Sequence, residues 1–389
     1  MRRKNITTLG VVALSALLAG GAQAQTLTAL TSFGNNGYLA PVAGTLDTGN
    51  LTRGMAWVAG DAFSGSASNG KGNLVVVNRE GGINIKVIDG LSGAIQSGEL
   101  NDTGVAGGSI AAINMIGSSA DGKIYAANWV SNTKTTNFKI YEWDSLTSGN
   151  APALVFDSAL DPGASITTPR LGDTLDVRGS GASTQLLFGM SGGTGYYHFT
   201  RSSSSGPFTA SYNAAAGSAS GAYRLGITFA QGNTVLGAQG GTGTNNSSIS
   251  TIGGAHTGTL KLADGGAPST GVGNERLLDH VEIQGVNYLA TVQTDGTPGR
   301  NTVRVYNIND PLTPVLISSL NLIGDGTANG NGVGQIRWGA VNGSVATLYA
   351  MNTNNGIQAM QFDAVPEPAT MTLLALGALA ARRRRKNSK

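Results

Sequence analysis

The decapeptide LTRGMAWVAG, residues 51–60, sets a pattern that recurs five more times along the 389-residue chain. Its counterparts are SIAAINMIGSS from Ser109, TPRLGDTLDVRG from Thr168, AYRLGITFAQG from Ala222, ERLLDHVEIQG from Glu275 and GQIRWGAVNG from Gly334. Anchored on Ala56, Ile113, Leu175, Ile227, Val281 and Ala340, the copies stand 57, 62, 52, 54 and 59 residues apart. Self-similarity at a near-constant spacing marks a repeat architecture with one supersecondary unit per copy.

Each copy is followed by a second apolar run: GNLVVVN, GKIYAAN, QLLFGM, NTVLGA, NYLATV and ATLYAM. A third comes next: INIKVIDG, FKIYEWDS, GYYHFTR, SSISTIG, TVRVYNIND and IQAMQFDA. Five units add a fourth, namely AIQSGELN, ALVFDSAL, PFTASYN, GTLKLAD (258–264) and PVLISSLNL. The sixth unit lacks one, and TLTALTSFG at residues 26–34 is left over at the other end. Runs of this length, separated by Asp-Gly and Gly-rich turns, read as strands in hairpins. Six units of four antiparallel strands, the last completed by the N-terminal strand, make an all-β six-bladed β-propeller. Ring closure removes the edges that an open array would expose. Seven blades would require a further unit within residues 40–60. No long helical period is visible anywhere in the chain after residue 24.

Glycine, at 59 of 389 residues, is about twice its usual share and follows no collagen-like period. There is no cysteine. Disulfides, thiolate nucleophiles and cysteine-ligated metal centres are therefore excluded.

The two ends carry other signals. Arg2, Arg3 and Lys4 precede an apolar run over residues 9–19, and Ala22-Gln23-Ala24 offers a small-x-small cleavage site. Residues 1–24 read as a secretory signal, cut between Ala24 and Gln25. At the other end, Pro366-Glu367-Pro368 leads into an apolar run over residues 371–381 and a basic block that includes Arg382, Arg383, Arg384 and Arg385. Eleven apolar residues reach roughly 17 Å in a helix, well short of a ~30 Å hydrocarbon core. The basic block favours the cytoplasmic side. A transient inner-membrane tether is the expectation.

Residues 365–389 resemble the PEP-CTERM sorting tail of Gram-negative bacteria in all three ordered parts. That resemblance implies export, removal of the tail by the membrane protease-transpeptidase exosortase, and an association with exopolysaccharide and biofilm matrix. Three domains follow: a signal peptide (1–24), a propeller body (25–364) and a sorting tail (365–389). Expected partners are the export machinery, exosortase and an anionic exopolysaccharide.

The ends also account for the charge. The chain has 25 Lys and Arg and 22 Asp and Glu, but three cations precede Gln25, and six cations and Glu367 follow Val365. The body therefore carries 16 positive and 21 negative charges, a net of −5. The basic pI belongs to the targeting segments and makes no case for nucleic-acid binding.

Within the repeat, Arg53, Arg170, Arg224, Arg276 and Arg337 recur in the first-strand class, and only the second unit lacks one. Equivalent positions on innermost strands ring the central channel. Five guanidiniums there would take carboxylate or phosphate. The bland alternative is that they tie blades together. His198, His256 and His280 share no metal-ligand spacing, although His280 and Glu282 fall on one strand face. Asp173 and Asp176 do not make a glycosidase pair. The glycine loops from Gly189 and Gly240 precede no helix and read as turns. No cofactor, metal or catalytic set is called for. The expected function is non-enzymatic binding at the cell surface or in the matrix by a monomeric body. The alternative is a propeller enzyme, a carbohydrate lyase or lactone hydrolase with substrate in the channel.

Overall fold

A computed structural model of the chain describes residues 25–60, 71–147, 149–239, 247–262, 275–294, 301–324 and 326–364, side chains excepted at 97 and 98. The expected signal peptide with its Ala24 cleavage point, residues 240–246 and the expected tail 365–389 lie outside the described residues. The described residues form 26 strands and one short 3-10 turn.

The chain begins with β1 (Thr26–Ala29) and β2 (Tyr38–Leu39). Blade 1 follows as β3 (Thr52–Val58), β4 (Asn73–Asn78), β5 (Asn84–Asp89) and β6 (Ile95–Glu99), and blade 2 as β7 (Ala111–Ser118), β8 (Ile124–Trp129), β9 (Phe138–Trp143) and β10 (Ala153–Ser158). Blade 3 has a split inner strand, β11 (Arg170–Leu171) and β12 (Asp176–Arg178), then β13 (Gln185–Ser191), β14 (Tyr196–Thr200) and β15 (Thr209–Asn213). Blade 4 comprises β16 (Gly226–Phe229), β17 (Thr234–Ala238), β18 (Ser247–Thr251) and β19 (His256–Gly258). Blade 5 comprises β20 (Glu275–Ile283), β21 (Val286–Gln293), β22 (Thr302–Asn307) and β23 (Val315–Asn321). Blade 6 comprises β24 (Gly334–Asn342), β25 (Val345–Asn352) and β26 (Ile357–Asp363). Each blade is a meander, and β1 completes the sixth by pairing antiparallel with β26, Thr26 opposite Asp363 and Ala29 opposite Met360. The molecule is a six-bladed β-propeller closed by its N-terminal strand. Residues 40–51 add no seventh blade.

The second strands explain why the ring holds. All six residues of β4 are buried. Successive side chains of a strand point to opposite faces, so Val75 and Val77 enter the core shared with blade 2, while Leu74 and Val76 enter the core shared with blade 6. In β8, Ile124 and Ala126 face blade 1, and Tyr125 and Ala127 face blade 3. A sheet buried on both faces reads as an unbroken apolar run. Six such clusters fill the six inter-blade spaces. Outer strands face water: Val315 and Leu316 of β23 are exposed.

The glycines that follow Arg53 and Arg224 on the inner strands have a structural reason. A Cβ on Gly54 would stand 2.6 Å from the Asn114 carbonyl oxygen, and one on Gly226 would stand 2.4 Å from that of Arg276. Inner strands converge at the axis, and a missing side chain lets the next blade's backbone come close. Two expectations shift in detail. The inner strand of blade 3 breaks where Gly172 takes a φ of 100°, and the fourth strand of blade 4 lies at His256–Gly258 rather than at 258–264.

Candidate functional site

In each blade the start of the inner strand lies level with the end of the second strand: Thr52 pairs with Asn78, Ala111 with Trp129, Glu275 with Gln293 and Gly334 with Asn352. These ends surround one mouth of the channel. Arg53 is the second residue of β3, Arg170 opens β11, Arg224 lies two residues before β16, and Arg276 is the second residue of β20. Four of the five recurring arginines therefore sit at this mouth.

Trp129, the last residue of β8, is the platform on which two of them meet Arg79. The guanidinium carbons of Arg170, Arg53 and Arg79 lie 4.4, 4.6 and 5.4 Å from its ring centroid. The negative face of an indole attracts cations. Its buried Nε1 has no hydrogen-bond partner among the described residues. The Asn50 carbonyl accepts from Arg53 Nε at 3.1 Å and from Arg79 Nη2 at 2.7 Å. Asn50 itself holds a left-handed φ of 58° and is locked by Asn354, whose Oδ1 accepts the Asn50 N–H at 2.8 Å.

Asp173 brings the counter-charge. Arg170 grips it with two bonds, Nε at 2.8 Å and Nη2 at 2.6 Å, and Arg224 Nε donates at 3.1 Å. The Asp173 side chain is 1% exposed, whereas those of Arg170 and Arg224 are 28% and 27% exposed. Burial, then the charge of Arg79, brings the Arg53 pKa down to about 10 against the opposing pull of Asp173. Burial, then Arg224, brings Arg276 down to about 10 as well. The mouth thus gathers Arg170 and Arg224 on Asp173, Arg53 and Arg79 beside them on Trp129, and Arg276 near Arg224 with its Nη1 donating to the Asn331 carbonyl at 3.3 Å, on a body whose net charge is −5.

Arg337 does something else. It pairs with Tyr349, three ladder steps below Gly334, and reaches across the axis. Its Nη2 donates to the Leu175 carbonyl at 2.5 Å, and Gln335 Nε2 donates to the same oxygen at 3.3 Å. Leu175 belongs to blade 3, opposite blade 6. Arg337 Nη1 also lies 3.5 Å from Asp279 and 3.8 Å from Asp176. Asp279 in turn accepts the Trp338 N–H at 2.6 Å, and Asp176 accepts the Phe229 N–H at 2.8 Å. These groups form a floor, so the mouth is a blind cup. Above it, Thr174, Leu225, Leu277 and Ile336 line a cavity of about 10 Å³, room for at most one water. That is below the ~300 Å³ at which small-molecule pockets begin.

The remaining candidates do not converge. His198 shares a hydrogen bond with Gln185, His280 shares one with Asn287, and Glu282 is exposed. Among the described residues no three His, Cys, Asp or Glu stand together as metal ligands. The glycine stretch 189–195 forms the β13–β14 turn. Sequence reasoning missed Trp129 and Arg79, which lie at the ends of second strands. The signal was a shared buried asparagine: Asn78, Asn128 and Asn352 close VVVN, YAAN and YAMN, and the next residue faces the mouth in the first two.

A DUF4623 family protein from Bacteroides eggerthii superposes with a TM-score of 0.58, at 18% identity over 82% of this chain and 72% of that one. The major allergen Mala s 1 of Malassezia sympodialis gives a TM-score of 0.44, at 12% identity over 75% and 89%. At such identity the first likeness speaks for the fold alone. No curated protein matches the chain. Among the described residues no helix is long and apolar enough to cross a membrane. Residues 364–386 match the PEP-CTERM protein-sorting motif, which marks this six-bladed propeller as an exported protein processed by exosortase.

Proposed function

We propose that the protein is a non-enzymatic binding protein of the cell surface or extracellular matrix. Its ligand is an anionic exopolysaccharide, whose uronate carboxylate meets the arginine cup. The observation that carries this reading is five guanidiniums at one mouth, two of them half-buried and bonded to a single buried carboxylate. Planar forks suit carboxylates bidentately, and like charges held together in a partly desolvated place favour an incoming anion. With room for no more than a water beneath the mouth, the acidic group of a polymer would meet the half-buried forks of Arg170 and Arg224 from outside.

The alternative reading, a lyase or lactone hydrolase working in the channel, has Asp176 and Asp279 as its nearest candidates. Both are buried below the cup beside Arg337 and bonded to backbone N–H groups. Binding is therefore the better use of this geometry. The test is thermal stability of residues 25–364 with oligogalacturonate against a neutral oligosaccharide of the same length. The uronate should raise the melting temperature and the neutral sugar should not. The Arg53→Ala/Arg224→Ala double variant should lose the effect. Equal shifts with both sugars would remove the case for a carboxylate site.

A further inference from the structure

The sorting tail leaves the body on the face opposite the arginine cup. Asp363, the end of β26, pairs with both Val345 and Thr26. Val345 begins β25 and pairs with Asn342, the far end of the inner strand β24. Ala364 is fixed there, its N–H donating to the Ser344 carbonyl at 2.8 Å. Residue 25, where the expected signal cut begins the mature chain, lies one position before Thr26 on this same face. The motif match starts at Ala364 itself, so no linker stands between the body and the tail.

Distances decide what the body can do on such a tether. The nine residues of β24, at about 3.3 Å per residue, separate the two faces by roughly 25 Å. From Ala364 to Met371, where the apolar run begins, the chain reaches at most about 24 Å when fully extended. Turning the cup to the membrane would require the tether to pass the whole height of the body and half its width.

We infer that the tethered protein stands on the membrane on the face of Gln25 and Ala364, with the arginine cup turned away from it. The cup is then open to extracellular polymer while the tail is held for processing. This orientation rests on the sorting tail and not on what the cup binds, so the two can fail separately.

The chain has no cysteine, so single-cysteine variants of the full chain can carry one donor dye each. Ala120→Cys labels the β7–β8 hairpin on the tail face, and Thr135→Cys labels the β8–β9 loop on the cup face of the same blade. Both residues are exposed. The labelled full chains are placed on vesicles of phosphatidylcholine and phosphatidylglycerol that contain an acceptor lipid. Energy transfer from Ala120→Cys should exceed that from Thr135→Cys by about twofold or more, given the ~25 Å separation. Equal transfer, or more from Thr135→Cys, overturns the orientation. A full chain that does not associate with the vesicles overturns the tether and the orientation with it.

Discussion

Asp173→Asn removes the one negative charge inside the arginine cup while keeping the side chain's size. In the wild type its carboxylate receives three guanidinium bonds between 2.6 and 3.1 Å and is almost wholly buried. Unit charges about 4 Å apart attract by about 4 kcal/mol at an effective dielectric constant of 20. Removing one partner of a buried pair costs about 3–5 kcal/mol. Arg170 and Arg224 keep some water, and the substituted amide oxygen can still accept one bond, so about 3 kcal/mol is expected. A body of this length unfolds with an entropy of about 0.7 kcal/mol/K, which converts that loss to about 4 °C. The assay is scanning calorimetry of residues 25–364 at low salt, with and without oligogalacturonate. The variant should melt about 4 °C lower and regain most of that with the uronate, shifting more than the wild type does. An unchanged melting temperature would show that Asp173 is not the cup's counter-ion. A loss that no anion repairs would show that the arginines do not take an external one.

Three further outcomes are expected. Deleting residues 26–34 should destabilise the whole ring, because β1 and the fully buried Phe33 go with it. Phe33→Ala alone should cost about 3–5 kcal/mol by denaturant titration, and near-wild-type unfolding of either variant would contradict the closure. Burial raises the Asp279 pKa to about 7, against the pull of Arg337 and with a further push from Asp176. The folded state therefore binds this proton more tightly than the unfolded chain, and the contribution to stability declines as pH rises from about 4 to about 7. Asp279→Asn should flatten that decline, and an unchanged pH profile would refute the assignment. Replacing Arg382, Arg383, Arg384 and Arg385 with Ser should weaken retention of the tail while cleavage after Ala24 continues. Mass spectrometry of the secreted product reads both ends, and wild-type extracellular protein still ending at Lys389 would contradict processing.

The fold was legible because the blades repeat a pattern that physics imposes on each one. A second strand buried on both faces must be apolar throughout, as VVV in β4 and IYAA in β8 show. The unpaired TLTALTSFG and the missing sixth fourth-strand pointed to each other, and β1 against β26 is the result. Strand limits were less legible where pairing is weak, as at β19 and the broken β11–β12. The site was half legible. Repeating arginines could be read from the first-strand class, but their recurrence does not fix register. Arg337 stands two positions deeper than Arg53 relative to the buried asparagines Asn352 and Asn78, about 7 Å along the strand, and so joins the channel floor. The role of Asp173 was not legible because its second partner, Arg224, comes from the next blade, 51 residues on. Trp129 belongs to the one blade without a recurring arginine. It offers the ring on which the neighbours' arginines stack.

If the protein works as proposed, its arginine cup binds a carboxylate. Equilibrium binding of oligogalacturonate to residues 25–364, measured across a series of salt concentrations, addresses it most directly. The account predicts saturable binding that weakens steadily as salt rises, as expected for partly exposed charges, and that is lost in the Arg53→Ala/Arg224→Ala variant. Binding that is indifferent to salt, matched by a neutral oligosaccharide, or retained in the double variant would contradict it.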